Sequence, residues 1–281
     1  MKNKSPHKSV ARKSLLFFWG LVFLISAGFW LLGAVNAPSV PKEATTDLPI
    51  SSLMIVSPIT AALILVFRQD GSAGVKQLLQ KAFDKNGIKK KIWYLPILLL
   101  MPAIMILTNE IMVSIQGPDL NHQYSPIMML VTCSVFFIAA IFEEVGWQGY
   151  AFEPMQARWN ALTASLILGT IWAIWHLVPF IQMGKSAEWI IWQSLNMVAT
   201  RIIIVWIYNN NAKSIFSAIL YHAMYNVSTL LTQNFGLIFE PMWTALPLIG
   251  IASIVTFLWG PKTLSKFQFW RSGMWAQYHS S

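Results

Sequence analysis

The sequence predicts an all-α fold, a polytopic transmembrane helical bundle of about eight spans, and three observations carry that prediction. Hydrophobic residues make up 56% of the 281-residue chain and charged residues only 11%, whereas an average soluble domain carries roughly a quarter charged residues. The apolar residues gather into runs of membrane-crossing length. Lysine and arginine are confined largely to alternate connections between those runs.

A spanning helix needs about 20 mostly apolar residues, each rising about 1.5 Å. The stretches that meet this test are 15–35, 51–67, 93–113, 127–147, 161–181, 187–208, 213–233 and 243–260. The first follows a leader carrying Lys2, Lys4, Lys8, Arg12 and Lys13, much as a signal peptide opens. A signal's apolar region spans about 7 to 15 residues, however, and this run continues from Leu15 to Val35, with Pro38 directly after the one small-residue site at Ala37. It is expected to be retained as a helix. The second span is short. After it, Val75, Leu78, Leu79, Ala82 and Phe83 recur at helical spacing, Lys76, Lys81 and Lys85 take other positions, and Gly87 can end the helix. This predicts a connector lying on the cytoplasmic surface against anionic lipid. Spans 127–147 and 161–181 carry ionisable residues, which makes their limits the hardest to place.

With both termini cytoplasmic, the inside set comprises the five leader residues, the basic residues from Arg68 to Lys91, then Arg158, Arg201, Lys213, Lys262, Lys266 and Arg271. Only Lys42 and Lys185 fall outside, the asymmetry expected of a cell-membrane protein with cytoplasmic N- and C-termini. The organisation read from this is a leader over 1–14, a single transmembrane domain over 15–260 and a tail over 261–281. The bilayer is thus one partner. Nucleic acid is not: despite a formal net charge of +9, the basic residues lie in short loops and not on one face beside stacking groups. The single cysteine, Cys133, excludes an intramolecular disulfide framework and reads as a packed core thiol.

An ionisable group at the centre of a membrane helix costs about 2.5 to 3.5 kcal/mol on insertion scales, so a span that keeps several marks function. Glu143 and Glu144 end the fourth span, His176 follows Trp172 in the fifth, and His222 precedes Asn226 in the seventh. Arg158 and Asn160 interrupt the apolar pattern midway between Glu143 and His176. If the fourth helix continues past Gly149 to about residue 156 and the next starts near 161, two nearly equal limbs place Glu143 and His176 at similar depth. Pro154 and the glycines are expected to bend the first limb. His222 and Asn226 lie one turn apart, on one helix face.

Hydrolysis is the chemistry such a set supports. A carboxylate near a histidine can hold and deprotonate water, while a second histidine and an amide donate to a developing oxyanion. Adjacent carboxylates in a poorly solvated site should not both ionise easily. Glutamate and histidine also ligate zinc, so a Glu143, His176, His222 site holding a bound water stays open on residue types alone.

Glu143-Glu144-Val145-Gly146-Trp147-Gln148, then Trp172 to His176, then His222 to Asn226, resembles the motif set of the CAAX protease and bacteriocin-processing membrane proteins, the Abi or type II CAAX prenyl endopeptidase family. The resemblance covers about residues 125–235. It implies a bundle of about eight transmembrane helices in which Glu143 and His176 activate water, His222 and Asn226 stabilise the oxyanion, and Glu144 is a supporting acid. It also implies an intramembrane endopeptidase that opens to the cytoplasmic leaflet and cuts near a hydrophobic or prenylated peptide end, in a family often named metalloproteases. Many bacterial members are linked to peptide processing or bacteriocin self-immunity.

One position departs. The family pattern has Arg four residues after the second Glu, where this chain has Gln148. Gln148 is expected to hydrogen-bond Glu144 from the next helical turn without neutralising it, which would favour a protonated Glu144. His-Glu-x-x-His, Gly-x-Gly-Asp and Gly-x-Ser-Gly are missing from the sequence, which argues against other intramembrane protease classes. The rival readings are a non-catalytic immunity or scaffold protein that keeps the polar cavity and a small transporter using the glutamates as a proton relay. A transporter should show inverted repeats, and none is evident.

Overall fold

The structure is a computed structural model that describes residues 7–36, 49–117, 126–234, 240–265 and 267. Every regular element among them is helical, in the order α1 (His7–Val35), α2 (Ser57–Ala82), α3 (Tyr94–Gln116), α4 (Pro126–Gly146), α5 (Glu153–Arg158), α6 (Ala161–Gln182), α7 (Ala187–Asn210), α8 (Ile215–Asn234) and α9 (Pro241–Trp259). Seven stretches among the described residues are long and apolar enough to cross a membrane, matching all the expected spans except 213–233. That region is α8, a helix of 20 residues that carries His222 and Asn226 and packs inside the bundle against α3, α4 and α7.

Helix α7 is the centre of the fold, packed on α6, α8 and α9, with every residue from Arg201 to Tyr208 buried. A helical segment apolar nearly all round is buried all round, as this half of α7 is, whereas Ile191 and Leu195 in the first half are exposed. The buried half therefore shows no amphipathic stripe. Around it, α2 packs on α4 and α4 on α8. Arg201, counted above among cytoplasmic loop charges, is instead a wholly buried residue within α7.

Short polar contacts lock these helices together. Trp175 Nε1 donates to Ser26 Oγ at 2.7 Å and Ser26 Oγ donates to Ser57 Oγ at 3.0 Å, tying α6 to α1 and α2. Asn160 caps α6, its Oδ1 accepting from the Thr163 amide at 2.7 Å. The turn after α9 folds back on that corner, where the amides of Ala161 and Leu162 donate to the carbonyls of Lys262 and Pro261.

Three features differ from expectation. The second span begins with a 3-10 segment, Ile50–Val56, before α2. Helix α2 then runs on to Ala82 through a kink at Gly71, whose φ of 64° suits glycine, so the amphipathic connector is its second limb and stops before Gly87. Leu78 and Ala82 are buried against the bundle, while Lys76, Lys81 and Lys85 are exposed. Finally, Cys133 is partly exposed on α4, not packed in the core. Of the charges assigned above, Lys2, Lys4, Lys42, Lys266 and Arg271 lie outside the described residues, as does the Ala37-Pro38 site; the side chains of Lys8, Arg12 and Lys13 are not described.

Candidate functional site

Helix α4 does not end at Gly146. It passes through one π-helical turn, Trp147–Phe152, into α5, and α6 starts after Trp159 and Asn160. The two limbs expected around this corner are therefore formed. The helix continues through this wider turn without a break, and a buried aromatic cluster packs against it. Trp147 stacks on Trp19 at 5.5 Å between ring centroids and meets Trp175 edge-on at 5.4 Å. Gly146 lies against Pro58 so closely that a Cβ there would sit 2.5 Å from proline backbone and side-chain atoms.

One turn above, a cavity of about 220 Å³ opens between the 3-10 segment, α4, α6, α7 and α8. Glu143, His176, His222 and Asn226 all line it, so these four predicted residues are brought together. Met54, Ile55, Val135, Phe136 and Phe180 supply apolar walls, and Gln193 and Tyr225 add polar edges. At about 30 Å³ per liquid water, the space admits several waters or a short peptide segment.

The two glutamates have different surroundings. Glu143 lines the cavity, and its Oε2 accepts from Trp172 Nε1 at 2.7 Å and Trp147 Nε1 at 3.3 Å. Glu144 is fully buried away from the cavity and accepts from His222 Nδ1 at 2.8 Å. Arg201 Nη1 also donates to both Glu144 oxygens, at 3.0 and 2.8 Å. The Arg201–Glu144 pair replaces the arrangement expected of Gln148. That amide is fully buried on the π turn, but neither Nε2 nor Oε1 has a hydrogen-bond partner among the described residues. Glu144 therefore has its neutralising guanidinium, delivered from α7.

Trp172 links the two halves. Its N–H holds Glu143, its face carries the Arg201 guanidinium 4.6 Å from the ring centroid, and His222 meets it edge-on at 5.1 Å. His176 Nδ1 bonds the Trp172 carbonyl at 2.9 Å, a role that requires Nδ1 to carry the proton. Nε2 of His176, like that of His222, is left as the nitrogen available to the cavity.

No group of three or more His, Cys, Asp or Glu side chains among the described residues is placed to hold one metal ion. Glu143, His176 and His222 border the same cavity without forming the ligand set that residue types allow. The residues that sequence reasoning missed are Arg201, Trp147 and Gln193. Only Arg201 left a signal, as a cation inside an apolar run.

A cavity within a helical membrane bundle, faced by a carboxylate and two imidazoles, defines a membrane-embedded Glu/His site. Residues 125–228 match the family described as type II CAAX prenyl endopeptidase Rce1-like. "CAAX prenyl protease 2" of Methanococcus maripaludis is 29% identical over 194 residues, 62% of this chain and 69% of that protein. Over these residues the chain is similar to the CAAX protease family.

Proposed function

We propose that this chain is an intramembrane endopeptidase that hydrolyses a peptide bond near a hydrophobic or prenylated peptide end. The supporting observation is the shared cavity, with Glu143, His176, His222 and Asn226 on one side and apolar walls on the other. The relative's name and the family description add a prenyl protease activity and a prenylated substrate. With α8 as an eighth crossing beside the seven apolar stretches, the distribution of basic residues supports cytoplasmic termini and a multi-pass protein of the cell membrane, with a leader over 1–14, a transmembrane domain over 15–260 and a tail over 261–281.

In this reading a water lies between Glu143 and His176. Glu143 Oε2 is committed to two indoles, so Oε1 takes the water proton while His176 Nε2 accepts the second hydrogen bond and fixes the water's direction. The hydroxide oxygen bonds to the scissile carbonyl carbon, and charge moves onto the carbonyl oxygen. Asn226 donates to that oxyanion. His222 donates to it as well, from Nε2, its Nδ1–H being held by Glu144. The C–N bond then breaks as the Glu143 carboxylic acid returns its proton to the leaving amine, giving a carboxylic acid and an amine. Glu144 acts as a supporting residue through His222, and neither it nor Gln148 lines the cavity.

The test is cleavage of internally quenched hydrophobic peptides, with and without a prenylated Cys, by detergent-purified protein. Wild type is compared with Glu143→Ala and His176→Ala, each with and without chelator. Loss in both variants is expected. Equal traces from wild type and variants would sink the protease reading in favour of an immunity, scaffold or transport role. An unchanged rate in chelator assigns water activation to side chains alone, whereas loss restored by added zinc would require Glu143, His176 and His222 to close on an ion.

A further inference from the structure

One arginine stands outside the cavity yet touches a group behind each half of it. Arg201 is wholly buried in α7, 57 residues along the chain from Glu144. Its Nη1 holds both oxygens of Glu144, which in turn holds His222 Nδ1, and its flat face covers the Trp172 ring, whose N–H holds Glu143. Two short chains of contact thus run from a single guanidinium to the imidazole and to the carboxylate that face the substrate space.

A purely structural ion pair explains this arrangement poorly. Buried pairs recover their desolvation only when the remaining protons are satisfied, and Arg201 Nε and Nη2 have no partner among the described residues. An apolar pair of similar volume would pack as well at less cost. What an apolar pair cannot do is keep Glu144 an acceptor. A protonated Glu144 could present O–H to the imidazole in place of accepting from it, and no anion would then hold Nδ1–H and fix the aim of the ring.

We propose that Arg201 is a positioning residue for the reaction: it holds Glu144 as a carboxylate, so that His222 keeps its Nδ1–H and directs Nε2 at the cavity, and it clamps Trp172 against Glu143. This inference rests on the hydrolase reading above for its kinetic consequence, not for its structural one. It also gives position 148 a meaning. Gln148 is one helical turn past Glu144, buried, with both amide atoms unpartnered, so a guanidinium placed there would lie beside the same carboxylate. The positive charge that the motif carries at this position stands on another helix in this chain.

The experiment uses full-length protein in detergent and compares wild type, Arg201→Gln, Arg201→Lys and the exchange Arg201→Gln with Gln148→Arg. Folding is followed by thermal unfolding, and kcat and KM are measured on the quenched peptide. The His222 tautomer is read by ¹⁵N NMR of histidine-labelled protein, its signal assigned by loss in His222→Gln. Arg201→Gln should lower kcat about 10- to 100-fold with KM within about twofold, and should remove the Nδ1–H signature of His222. Arg201→Lys should lie between, keeping charge without the fork. The exchange should regain at least about tenfold over Arg201→Gln, a recovery that a lost packing contact alone would not give.

A folded Arg201→Gln with wild-type kcat and an unchanged His222 signal would overturn the proposal. So would a folded exchange variant no better than Arg201→Gln. If Arg201→Gln does not fold, Arg201→Lys and the exchange decide on the same criteria. If wild type cleaves nothing, the hydrolase reading fails on its own, and the His222 signal in Arg201→Lys and the exchange still settles whether Arg201 sets the imidazole.

Discussion

Helix α7 borders two concave regions that differ in every respect but their neighbour. On one side is the cavity of about 220 Å³ with two histidines, a glutamate and an asparagine. Beyond it, α6, α7 and α9 enclose a groove of about 760 Å³ lined by Leu162, Leu166, Leu195, Ile202 and Ile249, with Ser253 and Thr256 as its side-chain polar groups. The groove is more than three times larger and carries no ionisable side chain. Inside a bilayer, apolar hollows are filled by lipid tails at little cost, so volume locates lipid, while polar groups that pay to be there locate chemistry.

The sharpest way to break this contrast is to remove the one carboxylate in the cavity. Glu143→Ala should lower kcat by about 10²- to 10⁴-fold, the range of a general base, with the thermal midpoint near wild type. Next comes the indole that aims it. Trp172→Phe keeps the ring for Arg201 but deletes the 2.7 Å donor to Glu143, and should cost about 10- to 100-fold in kcat/KM, as expected for a hydrogen bond to a charged group. A third change acts through packing. Gly146→Ala drives a methyl into the Pro58 backbone and should destabilise by about 1 to 3 kcal/mol in thermal or denaturant unfolding. Gly28→Ala, with nothing within 4 Å of the new Cβ, should be neutral or slightly stabilising. The smallest effect is expected in the groove, where Ser253→Leu should leave peptide cleavage within about twofold. A large loss there would make the groove part of the substrate path.

Most of the fold was legible in the sequence because its signal is one-dimensional. Spans are runs of apolar residues, and the corner at Trp159 and Asn160 is marked by Arg158 and a capping asparagine. The same holds for Glu143, His176, His222 and Asn226, each a polar residue in an apolar run. Arg201 met that criterion too, yet a charge count that assigned every cation to a loop absorbed it. Its partner Glu144 lies on a different helix, and nothing in linear spacing records a contact made across a bundle. Gln148 shows the converse error. Proximity along one helix predicted a bond to Glu144 that Arg201 makes instead, because Nη1 reaches both oxygens and carries the charge the carboxylate requires.

The π turn at Trp147–Phe152 acts as a gear between two lengths of helix. Each residue in an α-helix advances the rotation by about 100°, so the one extra residue that a π turn stores sets the angle between everything before it and everything after it. Shortening this stretch by one residue, at Gly149 for example, would return it to α-helical winding and turn Glu143 and Glu144 by more than a quarter revolution relative to the docked end at Glu153–Arg158. Both carboxylates would leave their partners at once. A loop of the same length would absorb such a deletion; here the reading frame of the helix and the aim of the site are the same quantity.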